Sequence, residues 1–301
     1  MHILLFGKNG QIGWELQRAL SVLGQITALS HDSNGLCGDF LNPNGIINTI
    51  RTVKPHVIVN ATGYTAVDLA EKECANAEKI NATTVKVIAQ EAKNINALFV
   101  HYSSDYVFDG EGNVAWTESD EANPLNFYGK TKLAGEQFIQ QFCNKYLIFR
   151  TSWVYSLRGS NFFKSIVKLS QEKETIAIVN DQFGAPTSAE MLADCTLVAI
   201  YRTLLDPSLS GLYHVCAAGT TSWHDYGLFI IEHLRRYPEI LKVQQINAIA
   251  SSAYPQAALR PKNSNLNTEK FRSKFDVALP AWQIGVERIL NEYFYINNSK
   301  G

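Results

Sequence analysis

The segment Ile3-Leu4-Leu5-Phe6-Gly7-Lys8-Asn9-Gly10-Gln11-Ile12-Gly13 constrains the fold more than any other part of the chain. An apolar run ends in glycines spaced G-x-x-G-x-x-G, and a helical pattern starts at once. Glycines allow a tight strand-to-helix turn and let backbone amides approach a ligand with no Cβ in the way. The first turn of the helix adds free N–H groups and roughly half a positive charge, which suits a pyrophosphate. The turn therefore predicts a βαβ unit of the kind that holds a dinucleotide.

The first half of the chain repeats that rhythm. Short β-branched apolar runs lie at residues 2–6, 26–29, 57–60, 98–102 and 147–150, with helical stretches at 11–23, 75–93 and 128–142. Strands alternating with helices predict a parallel sheet, and strands apolar on both faces predict helices covering both sides. The expected class is α/β: a Rossmann-type doubly wound parallel sheet with a second, smaller α/β substrate domain. Residues 1–155 are read as the NAD(P)-binding domain and 156–301 as mostly substrate-binding. In the later half, helical stretches at 161–171, 189–205, 223–236 and 281–294 are joined by loops rich in Pro, Gly, Ser and Asn. The run at 212–215 is a candidate to return to the sheet, and the polar end at 297–301 is expected to fray.

Composition excludes several function classes. The 27 Lys+Arg are balanced by 28 Asp+Glu, for a net charge of −1. No basic surplus points to nucleic acid or to an anionic membrane. No apolar run approaches the ~20 residues of a membrane span, and the apolar start is too short for a signal peptide. Five cysteines, at 37, 74, 143, 195 and 216, include no C-x-x-C pair. Neither a disulfide framework nor a zinc site is suggested, and a reducing cytoplasm fits best.

Chemistry concentrates in Asn123-Pro124-Leu125-Asn126-Phe127-Tyr128-Gly129-Lys130-Thr131-Lys132. On a helix Tyr128 and Lys132 stand at i and i+4 and share a face, while Lys130 turns away. A carbonyl that receives a hydride also needs a proton. A phenol supplies it, and a nearby ammonium is expected to lower the phenol's pKa and ease the exchange. The strand at 98–102 runs on into Ser103-Ser104-Asp105. Ligands bind beyond the carboxyl ends of strands in open α/β sheets. Ser104 is thus placed to hydrogen-bond a carbonyl and Asp105 to bind sugar hydroxyls. At the end of the second strand, Ser30 and His31 stand where an acidic residue would favour NADH, with Asp32 just beyond. NADPH is therefore expected to be accepted beside NADH. Asp39 is placed to receive the adenine amino group.

At these residues the chain resembles the extended short-chain dehydrogenase/reductase family, and within it the reductases of dTDP-linked 4-keto-6-deoxy sugars. The likeness runs through Gly7–Gly13, residues 59–68, 102–110, 128–136, 150–155, 180–187 and 260–266. It implies a nucleotide-sugar held in the cleft between a Rossmann domain and a smaller one. It also implies reduction of dTDP-4-dehydro-6-deoxy-L-mannose to dTDP-L-rhamnose. Gly7, Gly10, Gln11 and Ile12 would belong to the pyrophosphate turn. Ser30 would meet the ribose, and Asp39 and Phe40 would bracket the adenine. Gly63, Tyr64, Thr65 and Tyr102 would line the cofactor groove. Ser104, Tyr128 and Lys132 would form the catalytic group, the last two also touching the cofactor. Trp153 would pack on the sugar and Arg260 would pair with its pyrophosphate. Ser104 replaces a threonine common in the family, and Gly63-Tyr64 replaces an expected Ala-His. Some members dimerise around Mg²⁺ held by glutamates, and Glu15, Glu190 and Glu292 match those positions. Two other functions share the fold: a nucleotide-sugar epimerase or dehydratase that keeps its NAD⁺, and the non-catalytic regulatory subunit of a methionine adenosyltransferase.

Overall fold

The computed structural model describes residues 1–236 and 241–298; the end of the expected fraying tail, 299–301, lies outside them. Its centre is a six-stranded parallel sheet built from β1 (His2–Phe6), β2 (Gln25–Leu29), β3 (Val57–Asn60), β4 (Leu98–Ser104), β5 (Tyr146–Thr151) and, after β6 (Val154–Tyr155), β7 (Thr175–Val179), β8 (Phe183–Gly184) and β9 (Thr187–Ser188), β10 (Gly211–His214). The strand order is β10-β5-β4-β3-β1-β2. It reverses direction beside β1, which places a crevice at the carboxyl ends of β1, β3 and β4. The run at 212–215 does return to the sheet, as β10 beside β5.

Helices α1 (Gln11–Leu20), α2 (Pro43–Val53), α3 (Val67–Ala70), α4 (Cys74–Glu78), α5 (Thr84–Asn94) and α6 (Phe127–Phe142) lie along the first half. They are followed by α7 (Phe162–Glu172) and α8 (Ala189–Leu205). The interior strands are buried on both faces: every residue of β3 and β4 is buried. One core joins Ile3, Leu5, Val57 and Val100 to α1 and α8. The other joins Leu4, Phe6, Ile58 and Phe99 to α2, α5 and α6. Burial of this many apolar side chains is what holds the strand edges dry and parallel.

The later chain divides its allegiance. Leu192, Ala193 and Ile200 of α8 pack on the first core, as do Phe271 and Phe275 of α10 (Glu269–Phe275). A separate core gathers α7, β7, β12 (Gln245–Ile249), α9 (Trp223–Leu234) and α11 (Trp282–Asn298). Its small sheet pairs β12 with β7 in parallel, and β11 (Thr221–Ser222) pairs with β8. Among the described residues no helix is long and apolar enough to cross a membrane. All five cysteines are free.

The stretch expected as one helix at 75–93 is helical throughout but not uniformly α. Between α4 and α5 lies a π-helical turn, Lys79–Thr83. The extra residue lets Asn81 turn inward, where its Nδ2 reaches the Tyr64 carbonyl and Thr131 Oγ1, both at 3.1 Å. The fit is close: a Cβ on Gly135 of α6 would come within 2.3 Å of the Asn81 carbonyl oxygen. Such a turn depends on the contacts of Asn81 with Tyr64 and Thr131, which periodicity in the sequence does not show.

Candidate active site

The glycine turn is built as its spacing requires. Gly7 has φ +90°, and a Cβ there would meet the Ala61 backbone at 2.7 Å. A Cβ on Gly13 would lie 2.0 Å from the Gly7 carbonyl oxygen. Gly10 is the N-cap of α1 and offers no side-chain cap. Gly10, Gln11 and Ile12 therefore open onto a cleft of about 630 Å³. Gly7 shapes the turn without facing that cleft, since its N–H is taken by the Leu29 carbonyl at 2.8 Å.

The same cleft is lined by Gly63, Thr65, Tyr102, Ser104, Asp105, Tyr128, Lys132 and Trp153. Residues from the segments after β1, β3 and β5, and from β4 and α6, thus converge at one end of the sheet. Helix α6 starts at Asn126, whose side chain accepts the Gly129 N–H at 2.8 Å and donates to the Leu259 carbonyl at 2.7 Å. Gly129 lets the helix begin hard against the turn that follows β4, because a Cβ there would sit 2.1 Å from the Tyr106 carbonyl oxygen. Tyr128 packs edge-on to Tyr106 at 5.7 Å. Ser104 Oγ donates to Asp105 Oδ1 at 2.8 Å and accepts the Tyr106 N–H at 3.1 Å.

Electrostatics here differ from the expectation. Burial raises the Tyr128 pKa to about 12, with a hydrogen bond to Ser104 opposing and the Asp105 charge adding to the rise. Lys132 does not pull it down. Its Nζ is bound to the Tyr102 carbonyl and lies 3.4 Å from His101 Nε2. Burial lowers Lys132 to about 8, with Glu136 opposing. Asp105 is pushed up to about 6, chiefly by burial. Desolvation outweighs the charge pair in a site this closed.

Several residues expected at the site do other work. Phe40 is buried at 2% exposure and packs edge-on to Phe6 at 5.4 Å, so its ring belongs to the core and cannot bracket an adenine. Asp39 Oδ1 accepts the Leu41 N–H at 2.9 Å, a turn contact. Ser30 Oγ donates to Asp32 Oδ1. Tyr64 points away from the cleft to Glu73 at 3.0 Å, and an alanine Cβ at Gly63 would make only ordinary contacts. Tyr102 gives the cleft its backbone, while its hydroxyl is held by Thr196 of α8. Arg260 pairs with Asp68 at 2.5 Å beside the Tyr106 ring.

Sequence reasoning missed Trp223. It stacks on Trp153 with ring centroids 3.6 Å apart, and both line the cleft. Trp153 holds φ +48°, and a Cβ on Gly184 would strike its indole at 2.7 Å. A strained aromatic kept in place by a stack is the kind of feature that binding sites retain. Next to the cleft, and sharing Tyr106, Phe162 and Trp223 with it, a groove of about 330 Å³ leads past Tyr254 and Gln256 to Arg260. The two together give room for a dinucleotide and an elongated second ligand.

Glu15, Glu190 and Glu292, distant in sequence, border one cavity. Glu190 is paired with Arg288 at 2.5 Å, and Arg18 lies 3.6 Å from Glu15. Burial and then Glu190 raise the Glu15 pKa. Among the described residues no group of three or more His, Cys, Asp or Glu could hold a metal ion. Within the single chain Glu190 and Glu15 are met by Arg288 and Arg18.

A glycine-turn Rossmann sheet with a Tyr-x-x-x-Lys helix and a serine at the end of β4 defines an extended short-chain dehydrogenase/reductase. The family model described as RmlD substrate binding domain matches residues 1–295. The dTDP-4-dehydrorhamnose reductase of Escherichia coli (strain K12) is 53% identical over 294 residues, covering 98% of each chain. A crystal structure of dTDP-4-dehydrorhamnose reductase from Bacillus anthracis str. Ames in complex with NADP superposes with a TM-score of 0.86 at 33% identity, over 97% of this chain and 99% of that one. A UDP-glucose 4-epimerase from Thermus thermophilus superposes with a TM-score of 0.80 at 14% identity, over 97% of this chain and 98% of that one, a likeness of fold alone. The chain belongs to the dTDP-4-dehydrorhamnose reductase family.

Proposed function

We propose that the chain reduces dTDP-4-dehydro-6-deoxy-L-mannose to dTDP-L-rhamnose with NADPH or NADH, and that Tyr128 is the proton donor. The observation that carries this reading is the convergence of Tyr128, Lys132 and Ser104 in one cleft with the Gly10–Ile12 helix start. The cofactor fits that cleft. Glycines leave the turn free of Cβ atoms, and the first N–H groups of α1 are open to a pyrophosphate. The bound nicotinamide supplies the hydride. NADPH is supported by the NADP-bound relative and by the serine at position 30, where a carboxylate would favour NADH.

The chain's own residues then handle the proton. A phenol with a pKa of about 12 is fully protonated at neutral pH, and the alkoxide formed by hydride addition is a far stronger base. Tyr128 gives its O–H proton to that oxygen. Ser104, bonded to Asp105 and near Tyr128, orients the carbonyl. Lys132, held from behind by the Tyr102 carbonyl, offers its remaining N–H groups to the cofactor ribose. Trp153 and Trp223 form an apolar wall for the sugar, and Arg260 faces the groove that its diphosphate would follow. Residues 1–155 would act as the cofactor half and the later core as the substrate half. A cytoplasmic site of action accords with five free cysteines. Self-association into a homodimer belongs to the same proposal, tested by solution mass.

The test is NADPH oxidation with the keto-sugar generated in situ by its upstream enzymes. Stoichiometric loss of NADPH with formation of dTDP-L-rhamnose supports the reading. Sugar conversion with no net NADPH consumption points to an epimerase instead.

A further inference from the structure

A buried file of side chains runs behind Lys132, from β3 through β4 to α6. Asn60 and His101 are both 0% exposed and pair in register across the two strands. Asn60 Nδ2 lies 3.0 Å from His101 Nδ1, and His101 Nε2 lies 3.4 Å from Lys132 Nζ. The far end of the file fixes its direction. Asn60 Oδ1 accepts the Thr62 N–H at 2.8 Å, so the amide presents its NH₂ to the ring. Nδ1 must then accept, and a neutral imidazole with a bare Nδ1 carries its proton on Nε2. An imidazolium would set two donors against each other at Asn60, and burial, reinforced by the Lys132 charge, disfavours it. The Nε2–H therefore faces Lys132, itself a donor. An ammonium meets it donor to donor, whereas a neutral amine could accept it.

We propose that Asn60 and His101 are positioning residues for Lys132: Asn60 locks His101 as the Nε2–H tautomer, and that N–H loosens the lysine's hold on its third proton. The proposal rests on the reading of Lys132 as part of the reductive site. His101 offers the ammonium no acceptor, so the Tyr102 carbonyl holds Nζ from behind and the other N–H groups remain for a ligand in the cleft that Lys132 lines. Other groups around the lysine are Tyr128 and Glu136 on its own helix and Asp105 beyond β4. Glu136 is itself matched by Arg150 of β5 at 2.7 Å. A lysine held in this way changes charge easily as Tyr128 gives up and regains its proton.

The direct test is nitrogen NMR of the His101 ring in the full, ligand-free chain at neutral pH. The result expected is a bare Nδ1 and a protonated Nε2; a protonated Nδ1 or an imidazolium overturns the proposal. Asn60→Asp supplies the functional arm. Its Oδ1 still serves Thr62, while the second oxygen accepts Nδ1–H and turns Nε2 into an acceptor for the ammonium. The alkaline limb of turnover should then move up by about one pH unit or more. Adding His101→Leu should cancel most of that move. An equal move in the double variant assigns the effect to the new carboxylate and overturns the relay through His101. The ring measurement stands even where a variant does not fold, and a wild-type chain that fails to oxidise NADPH refutes the reductase reading while leaving the tautomer to be read.

Discussion

Replacing Asp105 by Asn should change how stability depends on pH, by an amount the site itself sets. Asp105 is 3% exposed, and its Oδ2 makes no aligned hydrogen bond, although Ser264 lies close enough to favour the carboxylate somewhat. Burial raises its pKa from 3.8 to about 6. A carboxyl whose folded pKa is raised contributes stability that is full below the unfolded value and lost as pH climbs through the folded one. The window is therefore about pH 4 to 6, with stability falling as pH rises. A shift of about two units at 1.36 kcal/mol each is roughly 3 kcal/mol. Asn keeps an acceptor for Ser104 and cannot ionise. Urea unfolding at intervals from about pH 4 to 7 should show wild type losing ~2–3 kcal/mol relative to Asp105→Asn across that range. Turnover should fall in the same variant, since the charge expected to hold sugar hydroxyls is gone. Parallel stability curves would show that Asp105 is not held in a charge-averse place.

Two further outcomes follow from pairs seen in the structure. Glu136 and Arg150 form a buried ion pair at 1% and 6% side-chain exposure, with Arg150 also lying over the Phe108 ring at 4.9 Å. Glu136→Gln leaves a buried guanidinium without its partner and should cost about 3–5 kcal/mol in chemical denaturation; a loss under ~1 kcal/mol contradicts the pairing. Arg260→Ala should raise KM for the nucleotide-sugar at least about tenfold, as loss of a charge-assisted contact would, and leave cofactor affinity unchanged. Equal weakening of both ligands would place Arg260 elsewhere in the mechanism.

Much of the fold was legible because local signals and tertiary demands agree. Short apolar runs became β1 to β5, and the run at 212–215 joined the sheet as β10. The spacing of Tyr128 and Lys132 put them on one helix facing one cleft. What was not legible depends on partners far away in the chain. Trp223 matters through Trp153, seventy positions earlier, and nothing near either tryptophan announces the stack. Phe40 is expected to bracket the adenine, but its contact with Phe6 comes from the turn between β2 and α2 folding back onto β1. The pKa of Tyr128 is set in the same way by surroundings that spacing does not show. Spacing shows that an ammonium is near, whereas burial and the Tyr102 carbonyl decide where its charge is felt. The π turn at Lys79–Thr83 needed the contact of Asn81 with Thr131 to be recognised.

The central claim is that Tyr128 delivers the proton, and Tyr128→Phe tests it most directly. The ring remains to pack on Tyr106, while the hydroxyl is lost. NADPH affinity, read by fluorescence titration, should match wild type, and keto-sugar reduction should fall by about 10²–10⁴-fold. Turnover equal to wild type with intact cofactor binding would contradict the account.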